Sequence, residues 1–222
     1  MISCRGQMND NRSVQRCLAI LRGFRGGPGQ SLTALSKAVD LPHSTVLRLL
    51  NTLQGEGYVR KEGTLWSLTP QLLEIGFAAL ANTGVNEFIQ SSLQDLANRC
   101  NGTVNIGERG RDEVIIIARA SSDSERRKIV VVNLRVGSSM PNTSALYRAL
   151  DMSEDSWAIA RYTDRKVTTL GIPLFSGQSR SLSLGLSVND DEYPVDRIET
   201  ELLGVLRVER DQIRRLMRLG EV

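Results

Sequence analysis

The sequence predicts an α+β chain in two parts, three short helices with a β-hairpin first and a longer mixed α/β domain behind them. Three observations predict it. Apolar residues recur at helical spacing in three segments before residue 55, a β-favouring run broken by Glu62-Gly63 follows directly, and strand-like runs dominate from residue 103 onward. With 222 residues, 41% of them hydrophobic and 24% charged, the chain is long enough to bury a real core.

In the first helix, expected over 13–24, Val14, Cys17, Leu18 and Leu21 form an i, i+3, i+4, i+7 stripe, with Ser13 as N-cap. Cys17 on that stripe reads as a buried, inert thiol. GGPGQ at 26–30 breaks the helix. Ser31 then caps a second one, LTALSKAVD, with Leu32, Leu35 and Val39 inward. It stops before Leu41-Pro42, because a residue preceding proline is pushed out of helical geometry. The third helix, about 43–54, turns Val46, Leu49, Leu50 and Leu53 inward, and Gly55 and Gly57 end it. YVRKEGTLWSLTP at 58–70 is the hairpin. Three helices and a hairpin, with a tight turn between the second and third helices, make a winged helix-turn-helix.

Further along, 70–82 is helical, and an amphipathic helix is expected over 86–100 with Phe88, Ile89, Leu93 and Leu96 as its apolar set. Strands are expected at 103–108, 113–119 and 128–134, the first two paired through the turn at 109–112. A helix starts at Ser144–Leu150, 181–188 alternates like a strand, and 194–218 reads as one long helix with Leu202, Leu206, Ile213 and Leu216 near one face. The domains expected are a tail at 1–12, a winged helix-turn-helix at 13–69, a linker helix at 70–84 and a rear domain at 85–222.

Charge is uneven. Residues 1–81 hold nine Lys/Arg against five Asp/Glu, so a polyanion is expected to bind at the front. The outward face of the third helix supplies the chemistry: Ser44 and Thr45 at the end that approaches bases, Arg48 one turn on for a guanine or a phosphate, Asn51 beyond it, and Leu47 at the edge for a thymine methyl. Arg60 and Lys61 on the wing suit phosphate or minor-groove contact. Ser31 and Thr33 open a helix whose backbone N–H groups can hold a phosphate, a role compatible with capping. His43 either reaches the DNA backbone, caps, or faces solvent.

Other chemistries are poorly provided for. His43 is the single histidine, and Cys4, Cys17 and Cys100 are far apart, which leaves no usual zinc spacing and no histidine-based triad. There is no GxSxG, P-loop or GxGxxG, and Asp112, Glu113 and Asp123 form no recognisable pair, so an enzyme is not expected. No cofactor or metal is expected either. No apolar run reaches 18 residues and the first ten lack a signal-peptide core, so a cytoplasmic protein without a membrane is expected.

PHSTVLRLLNTLQGEGYV at 42–59, between SLTALSKAVDL and LWSLTPQLLEIG, resembles the N-terminal domain of the IclR (isocitrate lyase regulator) family of bacterial transcription factors. The likeness covers residues 13–80. It continues through LANRCNGTVNIGERGRDEVIIIARA and VGSSMPNTSALYRAL, which are similar to the family's GAF-like effector domain, where a small metabolite, often an aromatic or organic acid, regulates DNA binding. The resemblance implies a homodimer, usually further paired into a homotetramer, on a palindromic double-stranded operator.

An effector pocket would be walled by the strand around Asn105 and Gly107 and by the segment 138–146. There Ser138, Ser139, Asn142, Thr143 and Ser144 orient a carboxylate or hydroxyl beside Ala145 and Leu146, or else cap the next helix and fill a loop. Three departures from the family stand out. The stretch between Leu150 and Gly171 is a few dozen residues shorter than expected, so the effector domain is shortened. Tyr147 replaces a usual glycine and would partly fill the pocket, and the cysteine often found just before the proline of GIPLF is absent. The alternative is a regulator without a ligand, its shortened rear domain serving only dimerisation or protein contact.

Overall fold

The computed structural model describes residues 11–27, 29–127, 134–177, 180–194 and 197–219. The expected strand at 128–134 falls, Leu134 apart, outside them, as do residues 1–10 of the expected tail. The chain divides into two compact units, Met1–Ala79 and Leu80–Val222.

In the front unit, α1 spans Arg12–Gly23, α2 Leu32–Val39 and α3 His43–Gly55; β1 is Gln30–Ser31, β2 Val59–Glu62 and β3 Leu65–Leu68. Asn11, not Ser13, caps α1, its side-chain oxygen accepting from the backbone N–H of Ser13 and Val14. The stripe on α1 also sits differently. Val14 and Leu18 are exposed, and Ile20 and Phe24 enter the core with Cys17 and Leu21 half-covered beside them. Ser31 caps α2 as expected, accepting from Ala34 at 3.1 Å.

Val46, Leu50 and Leu53 of α3 are buried against Leu35, Val59 and Trp66, with Leu49 partly buried. Gly57, at a φ of 81°, lets the chain leave α3 in a left-handed turn, and the Tyr58 N–H reaches back to the Leu53 carbonyl. The wing has three strands in the order β1-β3-β2. β1 was not expected from sequence, since two residues give no periodicity.

In the rear unit a six-stranded antiparallel sheet has the order β6-β5-β4-β9-β8-β7. These are β4 Thr103–Arg109, β5 Val114–Ser121, β6 Ser139–Met140, β7 Ala158–Tyr162, β8 Val167–Ser176 and β9 Ser181–Asn189. One face is aliphatic. Val104, Ile106, Ala118, Leu170, Ile172, Leu184 and Leu186 pack under Ile89, Leu93 and Leu96 of α5 (Glu87–Arg99) and under Leu206 and Ile213 of α8 (Leu203–Leu219). Phe88, expected on the inner face of α5, is instead 73% exposed, because its neighbour Ile89 takes the inward position. The long C-terminal helix begins as a π-helical turn, Ile198–Leu202, before α8.

The second face of the sheet carries α7 (Ala145–Ala149), which lies close enough that glycine is required beneath it. A Cβ on Gly171 would stand 2.6 Å from the Ala145 carbonyl oxygen, and one on Gly185 2.9 Å from Leu146. The remaining α-helices of the described chain are α4 (Gln71–Ala81), which has no buried residue, and α6 (Asp123–Arg127).

Candidate nucleic-acid interface and ligand cavity

On α3 the alternation of buried and exposed positions leaves one face open. His43, Ser44, Leu47, Arg48 and Asn51 are exposed and Thr45 is half-buried, so the expected contact residues of this helix share its outer surface. Among the described residues no carboxylate pairs with Arg48, and Thr52 donates its hydroxyl to the Arg48 carbonyl at 3.1 Å. Thr33 is exposed at the start of α2, whereas the Ser31 oxygen is occupied as the cap.

The wing residues are less free than the sequence suggests. Arg60 is ion-paired with Glu62 at 3.0 Å, with both side chains largely exposed. Lys61 lies over the Trp66 ring, 5.5 Å from its centroid. A surface pair of this kind is worth about 0–1 kcal/mol, so a phosphate can displace Glu62 at little cost.

The rear unit holds a cavity of about 570 Å³ on the α7 side of the sheet. Of the residues expected to line it, Asn105, Ser144, Ala145 and Leu146 do so. Gly107, Ser138, Ser139 and Asn142 do not. Gly107 lies beneath Leu146, where a Cβ would meet Val114 at 2.5 Å. Ser138 is engaged in its own turn, its hydroxyl accepting from the Arg135 N–H at 2.8 Å. Ser139 is in β6, paired with Ile115, and Asn142 faces solvent. Tyr147 does not fill the cavity either. It packs with Leu146 and Leu150 in a small cluster, and the Arg109 guanidinium sits over its ring.

Sequence reading missed the floor. Thr103, Arg119, Ser121, Thr169, Ser187 and Asn189 line the cavity from β5, β4, β9 and β8. The signal was the polar member of each alternating strand, such as Arg119 and Ser121 in ARAS. A bulge at the β4–β5 pairing, where Ile106 faces Ala118 but Gly107 faces Ile116, restores the phase. It lets Ile116 share the cavity face with Arg119 and Ser121. Arg119 donates to the Asn105 side-chain oxygen at 2.7 Å. Burial lowers its pKa and nearby Glu125 opposes that; the guanidinium still stays protonated at neutral pH. Arg126 and Arg165, paired with Asp123 and Asp164, also line the cavity together with Arg135 and Glu125, so the lining itself carries more cations than carboxylates.

In a second cavity, of about 530 Å³, the cations are held by neighbouring carboxylates and carbonyls. Arg180 holds Glu108 and the Thr83 carbonyl, and Arg214 holds the Leu174 carbonyl and Glu154. Arg207, Arg210 and Arg214 of α8 together clamp the loop at 154–155. The hydrogen bond from Arg214 holds the Glu154 carboxyl below the usual carboxylate range, and Arg210 does the same for Asp211. A depressed folded pKa stabilises above the unfolded value and that stability is lost as pH falls through the folded one. The urea midpoint should therefore drop less between pH 6 and pH 3 in Glu154→Gln than in the parent chain. Equal drops would mean that the clamp contributes nothing.

Among the described residues no helix is long and apolar enough to cross a membrane. Residues 13–63 match the IclR helix-turn-helix domain. Over 155 residues the chain is 26% identical to the Pca regulon regulatory protein of Pseudomonas putida, covering 69% of this chain and 52% of that one. It spans about half the length of the curated relatives it matches first. An IclR family transcriptional regulator from Brucella abortus has the same fold, with a TM-score of 0.77 at 19% identity, covering 96% of this chain and 94% of that chain. So does an IclR homolog from Microbacterium hydrocarbonoxydans complexed with 4-hydroxybenzoate, with a TM-score of 0.65 at 15% identity, covering 91% of this chain and 99% of that one. Residues 13–63 are thus an IclR helix-turn-helix domain, and the fold of the chain is that of IclR-type regulators.

Proposed function

We propose that the chain is a sequence-specific DNA-binding transcriptional regulator whose affinity for its operator is set by a small organic anion held in the rear cavity. The observation that carries this reading is the outer face of α3, where Ser44, Arg48 and Asn51 stand exposed on a helix locked to its unit by Val46, Leu50 and Leu53. Such a helix fits the major groove, and Arg48 can address a guanine with two donors. The cavity with its four arginines supports the effector part, as does the 4-hydroxybenzoate bound by the Microbacterium hydrocarbonoxydans homolog.

The chain acts as a dimer on a palindromic site. Val14 and Leu18 on α1, and Leu73, Ile75 and Phe77 on α4, are large apolar side chains left exposed, as expected of surface that pairs with a second copy. Two copies then present two α3 helices to grooves about one turn, or a multiple of it, apart. Sedimentation showing a dimer or a tetramer agrees with this; a monomer at working concentration does not.

The test is a salt titration of binding to genomic fragments, with sequencing of those retained. A palindromic motif with steep salt dependence is expected. On that motif Arg48→Ala should weaken specific binding by about 1–3 kcal/mol and non-specific binding much less. Equal loss on every sequence would make Arg48 a phosphate contact instead, and no retained motif at any salt would overturn the reading.

A further inference from the structure

Four adjacent strands carry a hydroxyl at the same level of the sheet. Ser121, Thr103, Ser187 and Thr169 are successive cross-strand partners on β5, β4, β9 and β8, and all four line the cavity. They are joined in two pairs, Thr103 to Ser121 at 3.2 Å and Thr169 to Ser187 at 2.8 Å. Within a pair one O–H is engaged by its neighbour, which leaves one O–H donor and further lone pairs for a third group. At a strand spacing of about 4.8 Å the row is roughly 14 Å long.

The next level holds Arg119 and Asn105 on β5 and β4, then Gly185 and Gly171 on β9 and β8. The two glycines admit α7, so the helix covers that end of the level while the hydroxyl row beside it lines the cavity. One wall of the cavity is thus a line of hydroxyls ending near a guanidinium. An apolar wall is made by Met140, Pro141, Ala145 and Leu146.

These two walls choose between ligand classes. An aromatic or simple aliphatic acid satisfies the apolar wall and Arg119 but removes water from the hydroxyl row without replacing its hydrogen bonds. Each polar group left so costs about 1–3 kcal/mol. A chain bearing several hydroxyls replaces those bonds along the row while its carbon backbone lies under the apolar wall.

Resting on the reading of this cavity as the effector site, we infer that the effector is an open-chain polyhydroxy carboxylate of the sugar-acid class. Its carboxylate pairs with Arg119 and its hydroxyls run along Ser121, Thr103, Ser187 and Thr169.

The full chain is titrated calorimetrically with gluconate, galactonate and galactarate, and in parallel with hexanoate and 4-hydroxybenzoate. At least one sugar acid should bind about 100-fold more tightly than hexanoate. Thr103→Val and Thr169→Val keep the volume and remove a hydroxyl. Each should weaken the sugar acid about five- to tenfold, leave thermal unfolding within a degree or two, and leave hexanoate unaffected or slightly better bound. Arg119→Gln should weaken every carboxylate. Tighter binding of hexanoate or 4-hydroxybenzoate than of any sugar acid, or unchanged sugar-acid binding in both valine variants, overturns the inference and leaves the effector reading standing. Silence from all five compounds overturns the sugar-acid inference as well; DNA binding that also ignores a broad metabolite panel sinks the effector reading itself.

Discussion

Trp66→Ala is expected to abolish DNA binding although Trp66 itself is buried away from the DNA-facing surface. Trp66 is 1% exposed and is the largest side chain in the front core, where it closes the wing over Val46, Leu50 and Val59. Removing a buried tryptophan costs about 3–5 kcal/mol. The ring also supports Lys61 through a cation–π contact worth roughly 0.5–1 kcal/mol at an exposed site. A unit of this size has a total stability of only about 4–10 kcal/mol. The loss therefore takes much or all of it. The rear core shares no residue with this one, so urea denaturation should show an early transition confined to the front unit, with Trp157 reporting the later one. A single unchanged transition, with DNA binding intact, would mean that Trp66 is dispensable to the wing.

The second large effect is expected at Gly171. A methyl group there meets the carbonyl oxygen of Ala145 at 2.6 Å and its carbon at 2.8 Å, both backbone atoms that cannot swing aside. Gly171→Ala should lower the stability of the rear unit by about 1–3 kcal/mol, the usual cost of overpacking. It should also lift α7, and with it Ala145 and Leu146, which line the cavity. Ligand affinity and stability then fall together. Gly204→Ala is the control, since nothing lies within 4 Å of the position a Cβ would take there. If the two alanine variants melt alike, the close approach of α7 is not what glycine serves at 171.

The front unit was legible because its signals are local and mutually reinforcing. The proline at 42 sets the start of α3, the glycine at 57 sets its exit, and the leucines between them allow one inward face. α1 was harder. Val14, Cys17, Leu18 and Leu21 make as good a stripe as Cys17, Ile20, Leu21 and Phe24, and only the partners of the helix decide between them. Phe88 and Ile89 pose the same difficulty on α5, as adjacent apolar residues of which one must face outward. The cavity floor was least legible. Asn105 and Ser144 were found because they sit beside recognisable segments, but Arg119, Ser121, Thr169 and Ser187 come from strands whose pairing is non-local. The row they form exists only once the register is known.

That row has an evolutionary consequence. Side chains alternate along each strand, so β4, β5, β8 and β9 carry the aliphatic core on one surface and the hydroxyls on the other. On the proposed reading, what the cavity recognises and what holds the domain together are thus encoded at interleaved positions of the same short segments. Drift at Thr103, Ser121, Thr169 or Ser187 can retune the chemical signal while Val104, Leu170 and Leu186 keep the scaffold intact. A library randomised at those four positions offers a route from this chain to sensors for other small acids.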